Sequence, residues 1–322
     1  MKTPILGIHH VTAIAGDPQT NVDFYAGVLG LRLIKKTVNF DDPSTYHLYY
    51  GDGVGSPGTV MTFFPRARVR RGVLGSGQTS TTTFAVPENS LAYWRQRLEE
   101  TLVRTADLTR FGAPGLSFAD PDGLRLELIE SSGPEQNRQP WDGSSVPVEH
   151  AIRGFDSVTL LHADSATTER LLVAAMGFRQ VAADGQRVRY ESGGGGSGAF
   201  VDLLHDPNMA PGRVAGGSVH HVAFRVADDD AEAEWQNRLS EAGHPTTEVK
   251  DRMYFHSVYF REPGGVLFEL ATDNPGFATD ESVDQLGSEL RLPPWIESHR
   301  NRIEQVLPSL EDPQRKDTGV AA

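Results

Sequence analysis

The amino-acid sequence predicts an α+β protein made of four βαβββ modules in two tandem domains. The first observation is a recurring opening segment in which polar and apolar residues alternate, as in a half-buried strand. It reads GIHHVTAI from Gly7, TSTTTFAV from Thr79, GFDSVTLL from Gly154 and SVHHVAFRV from Ser218. An internal repeat of this kind largely decides the fold.

The second observation is a helical pattern that follows most of these segments. Apolar residues recur three or four positions apart in PQTNVDFYAGVLG, NSLAYWRQRLEE, SATTERLLVAAMG and DDAEAEWQNRLSEAG, which indicates amphipathic helices. The third observation is a shared ending, in which a glycine is followed four residues later by one fixed position. These pairs are Gly58 and Thr62, Gly123 and Glu127, Gly198 and Asp202, and Gly265 and Glu269. Each module therefore reads strand, helix, then two or three strands.

Breaks in this pattern predict the domain boundaries. The segment from residue 131 to 147 is rich in Gly, Pro, Ser and Asn and joins modules two and three, as a linker does. We expect an N-terminal domain over 1–145 with modules one and two, and a C-terminal domain over 146–276 with modules three and four. A tail over 277–322 is expected to contain one helix.

Composition narrows the range of functions. The 322 residues include 30 Lys and Arg against 43 Asp and Glu, so the net charge is −13, which disfavours binding to a phosphate backbone. There is no cysteine, which excludes disulfides, zinc–thiolate sites, iron–sulfur clusters and a cysteine nucleophile. No apolar run is long enough for a membrane span, and the start is not a signal peptide. We expect a cytoplasmic protein with no membrane partner.

Two positions in each module carry the chemistry, one on the opening strand and one on the last strand. The opening-strand positions hold His10, Thr81, Ser157 and His221, and the last-strand positions hold Thr62, Glu127, Asp202 and Glu269. Imidazole and carboxylate groups bind divalent iron, manganese or zinc. Two histidines with one carboxylate form the ligand face of non-haem Fe(II) oxygenases.

The pairing of modules decides which of these side chains meet. Modules one and four together offer His10, His221 and Glu269, with Thr62 at the fourth position. Modules three and four offer a different set, which includes Asp202, and modules one and two offer a single histidine with a single carboxylate. We favour modules one and four, because that pairing brings two histidines and one glutamate together. A charged Glu269 in a mostly apolar strand also needs a partner.

At these residues the sequence resembles the vicinal oxygen chelate family, which includes glyoxalase I, bleomycin-resistance proteins and extradiol ring-cleaving dioxygenases. It is most similar to the ring-cleaving dioxygenases that act on para-hydroquinones. The matching stretches are HHVTAIAGDPQTNVDFYAGVLGLRLIKKTVNFDD, YHLYYGDGVGSPGTVMTFFP, RQPWDGSSVPVEHAIRGF, VDLLHDP, VHHVAF and VYFREPGGVLFELATDNPGF. They lie between residues 9 and 277. The resemblance implies a vicinal oxygen chelate (glyoxalase-like) fold.

The resemblance also implies a set of site residues. The implied ligands of Fe(II), with Mn(II) as the alternative metal, are His10, His221 and Glu269. The polar residues implied beside the substrate are His9, Thr12, His220, Arg252 and Tyr259. Each of these five also has a structural interpretation, as a strand former, a core residue or a surface ion-pair partner. His256 receives no role, and His47 and His205 are interpreted as structural or as supporting residues.

These observations together favour an Fe(II)-dependent dioxygenase that opens a dihydroxylated aromatic ring of the para-hydroquinone type with O2. A small aromatic diol and O2 would be its partners. The alternatives are a catechol extradiol dioxygenase and a glyoxalase-like metal-dependent lyase or isomerase on the same fold. A metal-free binding protein or a purely structural repeat would leave the two His-His pairs unexplained. A homo-oligomer stays open.

Overall fold

The computed structural model describes residues 3–133 and 138–314, and its strands follow the four predicted modules. Module one contains β1 (Ile8–Ala15), β2 (Arg32–Asn39), β3 (Asp42–Gly51) and β4 (Val60–Pro65). Module two contains β5 (Gln78–Pro87), β6 (Ala106–Arg110), β7 (Ala113–Ala119) and β8 (Arg125–Ser131). Module three contains β9 (Phe155–His162), β10 (Arg179–Asp184), β11 (Arg187–Glu191) and β12 (Phe200–His205). Module four contains β13 (Ser218–Val226), β14 (Lys250–Asp251), β15 (Phe255–Arg261) and β16 (Leu267–Pro275).

These strands form two sheets of eight strands each within the described residues. The outer sheet has the order β14-β15-β16-β13-β1-β4-β3-β2, and the inner sheet has the order β10-β11-β12-β9-β5-β8-β7-β6. Modules one and four therefore share the outer sheet, as predicted, and modules two and three share the inner sheet. Each sheet takes one module from each side of residue 145. The predicted domain ranges, which also include residues 1–2, 134–137 and 315–322 outside the described residues, stay a prediction.

The centre of each sheet is an antiparallel pair of opening strands. In the outer sheet β1 pairs with β13, with Val11 opposite Val222, and in the inner sheet β5 pairs with β9, with Thr82 opposite Val158. Every opening strand also runs parallel to the last strand of its own module. The opening-strand and last-strand positions of two modules are thereby brought to the middle of one sheet.

The two connections between the sheets run beside each other. Residues 66–77 lead from β4 to β5, and residues 206–217 lead from β12 to β13. The Val73 amide donates to the Arg213 carbonyl oxygen at 3.0 Å, and the Arg213 amide donates to that of Val73 at 2.8 Å. A Cβ at Gly75 would lie 2.5 Å from the Gly212 nitrogen, so this close approach needs glycine.

The helices cover the outside of the sheets. They are α1 (Pro18–Val22), continued by a π-helical turn (Asp23–Val28), α2 (Leu91–Glu100), α3 (Ala166–Arg170), continued by a second π-helical turn (Leu171–Ala175), α4 (Asp229–Glu241) and α5 (Arg300–Val306). The Asp17 and Asp228 side chains cap α1 and α4 by accepting backbone amide hydrogen bonds, which suits their N-terminal positions. Trp94 of α2 and Trp235 of α4 are fully buried and anchor these helices in the core.

The tail returns to module one. The Tyr46 hydroxyl on β3 donates to the Pro308 carbonyl oxygen at 2.8 Å. The buried Lys35 ammonium on β2 pairs with Asp280 at 2.7 Å, and Trp295 contacts Phe40 edge to face. The described helices are all too short or too polar to span a bilayer.

Candidate metal centre

His10, His221 and Glu269 converge at the centre of the outer sheet. The His10 Nε2 and His221 Nε2 atoms are 3.4 Å apart, and Glu269 Oε2 lies 3.4 Å from the first and 2.9 Å from the second. All three side chains are buried, and their candidate ligand atoms lie within 4.8 Å of one another. In residues 3–133 and 138–314, no second group of three His, Asp or Glu residues converges in this way.

The charges at this point fit a cation. Burial alone would raise the pKa of the Glu269 carboxyl, but the adjacent His10 and His221 imidazoles hold it well below its usual range. Burial lowers the pKa of His221, and the adjacent Glu269 carboxylate opposes that shift. Glu269 Oε1 accepts a hydrogen bond from the Ser257 hydroxyl, whereas Oε2 has no hydrogen-bond partner among the described residues. A buried, ionised oxygen without a hydrogen-bond donor is unfavourable. A divalent metal ion bound to it would neutralise its charge.

A second pair of histidines fixes the orientation of the first. His9 Nδ1 lies 2.9 Å from His10 Nδ1, and His220 Nδ1 lies 2.8 Å from His221 Nδ1. Burial, reinforced by the neighbouring imidazole, lowers the pKa of His9 and of His220 to about 3, so both rings are neutral. Each can accept the Nδ1–H of its neighbour, which directs the Nε2 lone pairs of His10 and His221 to the centre. Metal-binding histidines commonly donate their second ring N–H in this manner.

A cavity of about 540 Å³ opens next to these ligands. The predicted site residues that line it are His10, His220, His221, Arg252 and Tyr259. His9 and Thr12 are not among the described lining residues: His9 packs edge to face on Phe255, and the fully buried Thr12 hydroxyl lies 2.8 Å from that of Thr62.

Arg252 and Tyr259 form one polar unit on the cavity wall. The Arg252 Nε–H donates to the Tyr259 hydroxyl at 3.2 Å, and Arg252 Nη1 lies 3.2 Å from Asp41 Oδ2. Although burial opposes its charge, Tyr259 and Asp41 raise the pKa of Arg252. Burial and the nearby Glu269 raise the pKa of Tyr259, so its phenol keeps its proton. The wall thus presents a fixed positive charge beside a neutral hydroxyl.

Sequence reasoning missed several residues of this cavity. Tyr49 on β3 lines it, together with Phe40, Phe64 and Arg66. His47, interpreted from the sequence as structural or supporting, lines it as well. One signal could have found Tyr49. It lies opposite Thr62 in the β3–β4 register, as Tyr259 lies opposite Glu269 in the β15–β16 register.

Two other histidines lie elsewhere. His256 Nδ1 is 2.7 Å from Asp229 Oδ1 on α4, and Asp229, by hydrogen bonding, raises the pKa of His256. His205 ends β12 in the inner sheet. Neither residue lines the cavity within the described part of the chain.

The inner sheet carries ion pairs at the corresponding place. Glu127 Oε1 lies 2.5 Å from Arg110 Nη2. Asp202 pairs with Arg187 at 3.1 Å and with Arg189 at 2.7 Å. The Arg189 guanidinium also lies over two aromatic rings, those of Phe111 and Phe200. Guanidinium groups thus neutralise the carboxylates at the last-strand positions of modules two and three.

Comparison with known proteins agrees with this architecture. The chain matches the Glyoxalase/Bleomycin resistance protein/Dioxygenase superfamily over residues 7–128 and 85–270. It is 47% identical over 307 residues to the Bacillus subtilis (strain 168) protein named "Putative ring-cleaving dioxygenase MhqO", covering 95% of this chain and 97% of that protein. It is 38% identical over 314 residues to the "Chlorohydroquinone/hydroquinone 1,2-dioxygenase" of Sphingobium indicum, covering 95% and 96% of the two chains.

Solved structures show the same fold. A crystal structure described as a "putative dioxygenase" from Bacillus subtilis superposes with a TM-score of 0.92 at 46% identity, covering 96% of this chain and 99% of that one. Glyoxalase I from Zea mays has a TM-score of 0.62 at 14% identity, covering 83% and 92% of the two chains, which shows a shared fold alone. The chain therefore belongs to the glyoxalase/bleomycin resistance protein/dioxygenase superfamily, and within it to the ring-cleaving dioxygenases.

Proposed function

We propose that this protein is an Fe(II)-dependent dioxygenase that opens the ring of a para-hydroquinone with O2, with Mn(II) as the alternative metal. The observation that carries the proposal is the buried set of two imidazoles and one carboxylate beside a cavity with its own phenol and guanidinium. The hydroquinone dioxygenase named above supports the substrate class. His10, His221 and Glu269 would hold the metal, which supplies a Lewis acid for a phenolic oxygen and a path for electrons between ring and O2.

Thr62, at the last-strand position of module one, leaves coordination positions of the proposed metal open for two reactants. Thr62 occupies the place in module one that Glu269 occupies in module four. Its hydroxyl is engaged at 2.8 Å by both Thr12 and His47. Three protein ligands leave open positions, which a dioxygenase needs for substrate and O2. A fourth carboxylate ligand there would suit a lyase or isomerase better, because it would fill one of those positions.

Arg252 and Tyr259 suit the far hydroxyl of a para-diol. The two hydroxyls of such a diol lie at opposite ends of the ring, so a single metal cannot chelate both. The second hydroxyl therefore needs a protein partner. The protonated Tyr259 phenol can donate to it, and the charge of Arg252 favours its ionised form. A catechol, which can chelate through adjacent oxygens, would depend less on these two residues.

Apolar side chains complete the cavity. Phe40, Phe64, Val69, Val214 and Leu267 line it with the polar groups above. Such walls position a flat ring and keep water from the reacting atoms, which strengthens each polar contact.

The test is oxygen uptake by protein that is reconstituted anaerobically with Fe(II) and then offered hydroquinone or catechol in aerated buffer. We expect uptake and a ring-opened chromophore with hydroquinone, and a loss of both in His221→Ala because one ligand is removed. His205→Ala, which changes a histidine of the inner sheet, should behave like the wild type. Faster cleavage of catechol would reassign the substrate class. No uptake with either diol, despite one bound metal per chain, would refute a dioxygenase.

A further inference from the structure

Four side chains in module one form a continuous hydrogen-bonded chain that ends at the cavity. The Tyr49 hydroxyl lies 2.8 Å from His47 Nδ1. His47 Nε2 lies 2.8 Å from the Thr62 hydroxyl, and that hydroxyl lies 2.8 Å from the Thr12 hydroxyl. Tyr49 and His47 line the cavity, whereas the fully buried Thr62 and Thr12 are not among its described lining residues. The chain thus runs from the cavity surface into the sheet.

The sheet register shows what these residues correspond to in module four. Tyr49 lies opposite Thr62 on the neighbouring strand, as Tyr259 lies opposite Glu269. The residue two positions before each tyrosine is hydrogen-bonded to the last-strand position of its module. His47 bonds to Thr62 in module one, and Ser257 bonds to Glu269 in module four. Module four therefore supports a metal-binding carboxylate, and module one uses the same positions to support a phenol.

The two tyrosines approach the centre from opposite flanks of the sheet. Both line the cavity, and each stands beside the last-strand position of its own module. Burial raises the pKa of Tyr49, and the Tyr259 phenol nearby raises it further. Tyr49 is thus a second neutral phenol on the wall of the cavity that Tyr259 also lines.

The donor or acceptor role of Tyr49 depends on His47. Burial, with His10 and His221 nearby, holds the pKa of His47 well below its usual range, so the ring is neutral with one N–H and one bare nitrogen. If Nδ1 is bare, it accepts the Tyr49 proton, and the phenol oxygen can only accept from a ligand. If Nδ1 carries the hydrogen, Tyr49 can donate to a ligand. Thr62 is coupled to this choice, because its hydroxyl must take the complementary role at Nε2 and passes the opposite role on to Thr12.

We propose that Tyr49 is a second substrate-binding phenol, which contacts the far hydroxyl of the diol. His47 and Thr62 are positioning residues that set whether Tyr49 donates or accepts. This inference rests on the proposed function for the identity of the ligand. The binding it describes precedes any reaction with O2, so it can be measured without turnover.

The experiment compares hydroquinone with phenol, which lacks the second hydroxyl, by anaerobic calorimetric titration of the metal-loaded and the metal-free protein. In the wild type, hydroquinone should bind about 3- to 10-fold more tightly than phenol through the extra hydrogen bond. Tyr49→Phe should remove much of that advantage and leave phenol binding almost unchanged. Equal weakening of both ligands would mean that Tyr49 acts by packing, and no change in either would exclude a contact; each result overturns the inference.

The positioning role is tested by two variants of Thr62. Thr62→Val keeps the shape and removes the hydroxyl, so it should reduce the advantage of hydroquinone and change the ¹⁵N NMR shifts of the His47 ring nitrogens. Thr62→Ser should restore both. Thr82→Val, which alters a buried threonine in the inner sheet whose hydroxyl has no partner among the described residues, is the matched control. An unchanged His47 spectrum in Thr62→Val would refute the positioning role.

The outcomes separate this inference from the proposed function. Oxygen uptake by the wild type tests the dioxygenase, and the titrations test Tyr49 without O2. A wild type that binds hydroquinone with the Tyr49-dependent advantage but consumes no O2 would refute the dioxygenase alone. Turnover without that advantage would refute the role of Tyr49 alone. A wild type that fails to bind hydroquinone would refute both.

Discussion

Glu232 is a buried carboxyl outside the candidate metal centre, and its protonation is expected to affect stability. It lies on α4 with 1% of its surface exposed, and its Oε1 has no hydrogen-bond partner in the described ranges. Burial raises its pKa from 4.5 to about 7, and the nearby His256 only partly opposes this. The folded protein therefore holds a proton here that the unfolded chain releases.

The sign of the pH dependence follows from that shift. Because the folded-state pKa is raised, stability from this group is lost as the pH increases from about 4.5 to about 7. Glu232→Gln keeps the shape without the charge, so its advantage over the wild type in the free energy of unfolding should increase by roughly 2–3 kcal/mol from pH 5 to pH 8. Urea unfolding at both pH values measures it. Glu241→Gln at the exposed end of α4 is the control, and a gain independent of pH would contradict the explanation.

The site residues differ in how well their positions could be predicted from the sequence. His10, His221 and Glu269 could be predicted because chemically unusual side chains recur at equivalent positions of a repeat. The resemblance implies His9 and His220 beside the substrate, which stays a prediction; the structure adds that each lies within hydrogen-bonding distance of the neighbouring histidine and that His220 lines the cavity. Their side-chain directions depend on local strand geometry, which no sequence pattern describes.

At the scale of elements, the two sheets use the same positions for opposite purposes. In the outer sheet the central carboxylate, Glu269, lies next to two histidines. In the inner sheet three arginines from β6 and β11 pair with the corresponding carboxylates. A sequence repeat could predict where these positions lie. It could not predict their partners, because Arg110, Arg187 and Arg189 lie on strands whose register is decided by the finished sheet.

Arg189 tests the role of this inner ion-pair cluster. Its guanidinium pairs with Asp202 and Asp156 in a nearly buried position. Arg189→Ala would leave buried carboxylates unpaired and should cost about 3–5 kcal/mol in the free energy of unfolding. Arg95→Ala, which removes an exposed pair with Asp107, should change it by less than about 0.5 kcal/mol. Chemical denaturation measures both, and similar losses in the two variants would refute a special role of the cluster.

At the scale of the whole molecule, the candidate metal centre is formed by residues of the first and last modules. A metal that binds only the folded state should stabilise the protein by about 2.7 kcal/mol at a concentration of 100 times its Kd. We therefore expect Fe(II) or Mn(II), added under argon, to raise the Tm by several degrees in scanning calorimetry. Glu269→Gln should show little shift. An equal shift in both proteins would place the stabilising metal elsewhere.

The architecture was more predictable than the site. Four modules follow from self-similarity, and their pairing followed from ligand chemistry, since only modules one and four combine two histidines with a carboxylate. The course of the two connections, residues 66–77 and 206–217, could not be predicted from the sequence. They pair with each other through contacts between segments that are distant in the sequence. The cytoplasmic location and a homo-oligomer stay predictions.

The nested order of the modules has a consequence for the synthesis of the chain. His10 and His221 are 211 residues apart in sequence, and β1 gains its central neighbour only with β13, after about two-thirds of the 322 residues have been made. Modules two and three can pair as soon as both have left the ribosome. Until β13 emerges, one edge of β1 keeps its amide and carbonyl groups unpaired, which invites pairing with other nascent chains. Module four, the last to be made, therefore covers the open edge of β1 in module one. Binding of chaperones to the nascent chain should decrease once module four has emerged.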